Sequence, residues 1–185
     1  SYHLLYNNPD IQKKNLKKNF DIFPWEEDQK LVEKWRKGMT GYPIVDAGMR
    51  ELWETGYMHN RVRMITSSFL VKNLLTHWKV GESWFWDCLL DADTASNSAS
   101  WQWVSGTGTD ATPFFRIFNP ITQSKNFDCD GLFIKKHLPE LKDLDKKEIH
   151  DPSESERNHL NYPKQILDLK HSRLRAVDAF NDAKN

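Results

Sequence analysis

Two stretches of this 185-residue sequence hold residue types that could do chemistry, at spacings that bring them together. The first runs Asp91-Ala-Asp-Thr-Ala-Ser-Asn-Ser-Ala-Ser-Trp-Gln-Trp103. If it coils as a helix after Asp93, then Asp93, Asn97 and Trp101 stack on one face at i, i+4 and i+8, and Trp103 points ~200° round from Trp101. One tryptophan then faces inward beside acceptors and amides. The small, polar composition from Asp91 to Asp110 leaves room for something other than side chains to pack there. The plainer alternative is a helix capped by Asp93 and followed by core tryptophans, and composition alone favours it.

The second stretch is Met58-His-Asn-Arg-Val-Arg-Met64. At a helix start, Asn60 and Arg63 share one side, and Arg61 and Met64 share an adjacent one. Either Asn60 caps the helix ahead of two solvated arginines, or a buried pair such as Arg63–Asp91 joins the two stretches. His59, His77, His137, His150, His159 and His171 occur singly and read as surface or satisfied core histidines. The lysine pairs at 13–14, 17–18, 135–136 and 146–147 read as solvated faces. No Ser-His-Asp order, P-loop or Gly-rich dinucleotide fingerprint is present.

The elements that must position these residues are helical. Leu31, Val32 and Trp35 predict a helix over 26–37, stopped by Gly38. Pro43 opens a second helix with a buried stripe of Val45, Met49, Leu52 and Trp53, ended by Gly56. Val62, Ile65, Phe69, Leu70, Leu74 and Trp78 predict one uninterrupted helix over 60–79, about five turns. A shorter aromatic helix follows over 82–90. Short helices are expected up to Leu144, an exposed loop over 145–164, and a final amphipathic helix over 170–183. Ile11, Leu4 and Leu5 anchor an otherwise polar start. No strand shows clean alternation, so the expected fold is all-α.

Composition narrows the classes further. Hydrophobic residues at 38% and charged residues at 28% argue against disorder. No apolar run reaches the ~18 residues that span a bilayer, and no leader opens the sequence, so a cytoplasmic protein is expected. Cys88 and Cys129 have no ligand-spaced partners, which excludes a structural zinc site and leaves two reduced, partly buried thiols. Charges balance at 26 of each sign, so any polyanion partner must be held by a local patch. Eight Trp, ten Phe and five Tyr exceed what packing alone demands.

Thr40-Gly-Tyr-Pro-Ile-Val-Asp-Ala47, Met58–Met64, Ser67-Ser-Phe-Leu-Val-Lys72, Asp91-Ala-Asp93, Trp101-Gln-Trp103, Gly106-Thr-Gly-Thr-Asp110 and Phe115-Arg-Ile-Phe-Asn-Pro120 occur in order. Together they resemble the photolyase/cryptochrome family, and within it the class I cyclobutane pyrimidine dimer photolyases. The resemblance covers nearly the whole sequence, as the C-terminal part of the family's helical FAD-binding domain. The family's N-terminal α/β antenna domain and the first part of the FAD domain, which clamps the flavin phosphates, have no counterpart in residues 1–185. The antenna pigment is therefore not specified.

By position, the resemblance implies FAD-facing roles for Asn60, Arg63, Asp91, Ala92, Asp93 and Asn97. Plant cryptochromes typically carry Asp at the position of Asn97 and animal ones Cys, so Asn97 favours the repair branch. It implies an electron-transfer chain of Trp101, Trp78 and Trp25 running from the flavin to the surface. Core packing is the plainer account of each of these three taken singly. Asn60, Arg61, Met64, Trp103 and Arg116 are implied to meet DNA containing a pyrimidine dimer. Ser98-Ala99-Ser100 departs from relatives that carry Asn or Gly there, without touching the flavin-facing positions. The implied activity is light-driven dimer repair, with a cryptochrome-like blue-light receptor as the alternative. A third expectation concerns residues 1–185 taken alone: without the upstream cradle they bind flavin weakly and self-associate through an exposed apolar face.

Overall fold

A computed structural model describes residues 1–108 and 111–183. Thr109 and Asp110, which end one of the family-like motifs, lie outside the described residues. Among the described residues every regular element is helical, as the sequence led us to expect, and there is no strand. The α-helices are α1 (Tyr2–Asn7), α2 (Gln29–Arg36), α3 (Pro43–Thr55), α4 (Asn60–Ser68), α5 (Trp78–Cys88), α6 (Thr94–Ser105), α7 (Pro120–Phe127), α8 (Leu132–His137), α9 (Glu154–His159) and α10 (Leu169–Asp182). None is long and apolar enough to cross a membrane.

Capping chemistry sets most boundaries. Asp28 accepts from the amides of Lys30 and Leu31, so α2 begins at Gln29 and not at Glu26. Helix α3 starts on Pro43 and stops where Gly56 turns left-handed at φ +68°. Val45, Met49 and Leu52 are buried, but Trp53 is 70% exposed and not part of the stripe. Its indole instead stacks on Trp84 of α5 with ring centres 5.7 Å apart. The expected cap Asn60 is the first residue of α4, and the cap is His59, whose ring accepts from the Arg61 amide.

The largest departure is the expected five-turn helix. Helix α4 ends at Ser68, and the chain widens into a π-helical turn over Phe69–Asn73. It then turns a corner in which Leu75 takes φ +53°. His77 caps α5 by accepting from the Lys79 amide, so α5 starts at Trp78 and not at Glu82. The apolar rhythm runs straight through this corner because Leu74 and Leu75 are themselves buried and no Gly or Pro marks it. The expected exposed loop over 145–164 is also corrected. It contains α9, started by a reciprocal Ser153/Glu156 capping box, and it buries Ile149, Arg157 and Tyr162. Cys88 is half-buried as expected, but Cys129 is exposed.

The main core joins α2, α3, α4 and α5 with Trp101 of α6 and with Ile134, Leu138, Leu141 and Tyr162 from the C-terminal half. A buried carboxylate ties it together. The Asp46 carboxylate, fully buried, accepts from the Thr40 amide (2.7 Å) and hydroxyl (2.6 Å), the Gly41 amide (2.9 Å) and the Tyr162 hydroxyl (2.5 Å). Four donors around one carboxylate tie the approach to α3 to the segment after α9. Asp46→Ala is expected to lower stability by about 3 kcal/mol or more, because it strands those donors in the core. Urea unfolding followed by circular dichroism measures this, and a loss no larger than a surface substitution would contradict it.

Candidate functional site

Helices α4, α5 and α6 and the turn between α5 and α6 line an open cavity of about 670 Å³, within the ~300–1,000 Å³ usual for ligand pockets. Asn60, Arg63, Asp91, Ala92, Asp93 and Asn97, the six positions singled out for the cofactor, all line it. Met64, Trp101 and Trp103 line it too, with Phe85 and Leu89 as apolar wall. Trp101 is buried and Trp103 is 38% exposed, which fits the inward and outward directions read from their spacing. Ser1 and Leu4 close one side of the cavity.

Arg63 joins the two stretches. One guanidinium nitrogen donates to both Asp91 oxygens (3.0 and 2.8 Å), and its Nε donates to the Met58 carbonyl (2.6 Å). The Arg63–Asp91 pair therefore forms, but with Asp91 more than half exposed it is not the buried pair the sequence allowed. Asp93 caps α6 through the Ser96 amide (2.8 Å) and also accepts from the Tyr2 hydroxyl (3.0 Å). These hydrogen bonds, the Ser96 amide first, hold its carboxyl below the usual carboxylate range. Asp93 thus caps α6 and lines the cavity in one geometry.

The Asn97 amide nitrogen donates to the Glu82 carbonyl (3.0 Å). A carbonyl only accepts, so this bond fixes which way the amide faces. Ser98 donates to the Glu82 carboxylate (2.8 Å). Glu82 therefore orients the first turn of α6 from α5. Nothing in the sequence pointed to it, because its partners lie 15 and 16 residues away.

Gly81 is a second residue that sequence reasoning passed over. A Cβ at this position would overlap the indole of Trp101, so α5 and α6 touch there because there is no side chain. Trp101 also packs edge-on against Phe85, with ring centres 4.9 Å apart. Trp78 lies one turn before Gly81, fully buried, and its indole N–H donates to Asn15 (2.7 Å). Trp25 is half-buried, and the His77 ring packs against both it and Trp78, 5.2 Å from the first ring centre and 5.6 Å from the second. His77, expected to be a surface or satisfied core histidine, thus touches both tryptophans.

Besides Trp25 and Trp78, two residues expected to meet DNA stand apart from the cavity. Arg61 lies outside its lining, its guanidinium 4.3 Å from the centre of the Phe127 ring. Arg116 is exposed on the segment between α6 and α7. Among the described residues no cluster of His, Cys, Asp or Glu is arranged to hold a metal.

Two consequences can be measured. Gly81→Ala is expected to cost about 1–3 kcal/mol and to alter the near-ultraviolet circular dichroism, since Trp101 must move. An unchanged spectrum and stability would show that the contact is slack. Burial, reinforced by the positive charge of Lys79, lowers the His77 pKa from 6.5 to about 4. A histidine depressed in the folded state contributes stability that is complete above pH 6.5 and is lost as pH falls towards 4. His77→Asn keeps a capping acceptor and should reduce the loss of urea resistance over that window. An equal loss in both proteins would contradict the assignment.

Residues 1–182 match the family described as the FAD binding domain of DNA photolyase. The chain is 52% identical over 188 aligned residues to the deoxyribodipyrimidine photo-lyase of Agrobacterium fabrum, covering 97% of this chain and 39% of that protein. It is 40% identical over 190 aligned residues to Cryptochrome-1 of Arabidopsis thaliana, covering 98% of this chain and 28% of that protein. Among solved structures it resembles a bacterial class III photolyase from Agrobacterium tumefaciens at 50% identity and a TM-score of 0.94, over 99% of this chain and 40% of that one. The curated photo-lyase name carries no class, and the solved structure is titled class III where the motifs had suggested class I. The chain spans about two fifths of its photolyase relatives or less, and it belongs to the family of DNA photolyase FAD-binding domains.

Proposed function

We propose that this chain forms the lesion-facing part of a cytoplasmic FAD-binding domain that repairs cyclobutane pyrimidine dimers in DNA, as a deoxyribodipyrimidine photo-lyase does. The observation that carries the reading is the convergence of Asn60, Arg63, Asp91, Asp93 and Asn97 with Met64, Trp101 and Trp103 on one cavity. This donor set fits a flavin. Arg63 offers positive charge to a ring that turns anionic on reduction, and Asp91 balances it and fixes its direction. Asn97, held by Glu82, presents an oriented amide, and Asp93 and Asn60 offer polar contacts at the rim. When bound, reduced FAD supplies the light-driven electron that opens the cyclobutane ring and receives it back, with no net redox change. The remainder of the cofactor, and any antenna pigment, would be held by residues outside this chain.

The dimer must leave the duplex to reach such a cavity. Trp103, partly exposed at the cavity, is a flat wall for the extruded bases, and the flexible thioether of Met64 adapts to them. Arg61 and Arg116, outside the cavity, suit the flanking phosphates and supply the local charge that a neutral composition lacks. Trp101 in the cavity wall, Trp78 in the core and Trp25 half-exposed form a graded path along which an electron is drawn inward to restore the reduced cofactor.

The likeness to Cryptochrome-1 of Arabidopsis supports a second reading, a blue-light receptor that uses the same tryptophans for signalling. Affinity for damaged DNA separates the two. Trp103→Ala is expected to weaken binding of a dimer-containing duplex by about tenfold to a hundredfold while flavin photoreduction persists. Damage-specific affinity unaltered by that change would overturn the repair pocket. In the chain by itself, the exposed Trp53, Tyr57, Trp86 and Leu90 favour self-association and the flavin is held weakly. Gel filtration with absorbance at the blue flavin bands should find colourless, associated protein, and a yellow monomer would contradict this.

A further inference from the structure

Lys72 is only 1% exposed, on the wide π-helical turn between α4 and the corner before α5. Among the described residues no carboxylate pairs with it. Its ammonium instead donates to the Arg116 carbonyl (3.0 Å), reaches the Pro113 carbonyl (3.5 Å) and lies 5.7 Å from the centre of the Phe114 ring. The Arg116 amide itself donates to the Pro113 carbonyl (2.9 Å), closing a turn over 113–116. Lys72 therefore holds the two ends of one turn from beneath.

That turn has a second anchor. The Thr112 amide donates to the carbonyl of Trp103 (3.2 Å), so the segment runs from the cavity wall to Lys72. Phe114 points into a small core with Phe20 and Phe23, while Phe115 and Arg116 are exposed. A core filler at position 72 would need no nitrogen. Burial, with the charge of Arg116 added, pulls the Lys72 pKa down to about 7. Carrying an ammonium there is costly, and what offsets the cost is the two carbonyls and the ring face.

Resting on the repair reading above, we infer that Lys72 is a positioning residue for damaged-DNA binding. It fixes the turn over 113–116 so that Arg116 projects towards a phosphate beside the extruded dimer, in register with Trp103. An apolar side chain of similar length fills the space but removes the lysine donor from the Arg116 carbonyl, leaving the Pro113 carbonyl to the Arg116 amide alone. The turn then loosens and Arg116 loses its direction, although its charge remains.

A double-mutant cycle on the whole flavin-loaded protein, of which this chain is the proposed lesion-facing part, tests this, using a duplex with one thymine dimer across a series of salt concentrations. Arg116→Ala should weaken binding and lower the salt slope by about one unit, as expected for the loss of one phosphate contact. Lys72→Met should reproduce most of that weakening and the same fall in slope, and the double variant should be no weaker than either single one. Should Lys72→Met fail to fold, Lys72→Gln, which keeps a donor of shorter reach, takes its place in the cycle. If Arg116→Ala costs the same in both backgrounds, Lys72 is purely structural and the inference is overturned. If the unsubstituted protein shows no preference for the damaged duplex, the repair reading fails first and this inference falls with it.

Discussion

The close approach of α5 to α6 at Gly81 is the constraint on which the candidate site depends. A helix backbone rests directly on an indole there, which is possible because residue 81 has no side chain. The contact fixes the depth of Trp101, and the bonds from Asn97 and Ser98 to Glu82, one residue further along α5, fix the rotation of α6. With α6 set in both respects, Asn97 and Trp101 face the cavity and Trp103 meets solvent at its edge. The clamp of Arg63 on Asp91 then holds the start of α4 against the turn that leads into α6.

Polar groups in the interior are used here for position more than for stability. A buried ion or hydrogen-bonded group gains little over a well-packed apolar one, but it permits fewer arrangements. Asp46 gathers donors from two distant segments, and Arg157 donates to the carbonyls of Gly41, Pro152 and Pro163. Lys72 does the same for the turn that carries Arg116. Each of these residues lies away from the cavity, and each sets the geometry of a segment that reaches it or braces its walls.

Much of the site was legible in the sequence because its residues lie in two short runs. Helical spacing alone placed Asp93, Asn97 and Trp101 on one stripe, and the family-like motifs supplied the partner stretch at Asn60–Met64. What stayed hidden depends on contacts between distant segments. The corner at Leu74–Thr76 is buried and holds no Gly or Pro, so it carries no breaker signal, and a bent pair of helices reads as one straight helix. Glu82 and Gly81 act across α5 and α6, Lys72 acts 44 residues from Arg116, and His77 matters because two tryptophans meet its ring. The segment from Asp145 to Lys164 looked like loop because its composition is polar, yet Arg157 and Tyr162 are buried in it by partners from α3 and the residues before it.

The central claim is that this cavity brings a flavin and an extruded pyrimidine dimer together. The most direct measurement follows the loss of thymine dimers from an oligonucleotide mixed with the whole protein, reduced and flavin-loaded, under blue light and in the dark. The account predicts dimer splitting that needs light and yields intact thymines without strand cleavage. Bound flavin that reduces normally yet leaves dimers untouched after prolonged illumination would contradict it.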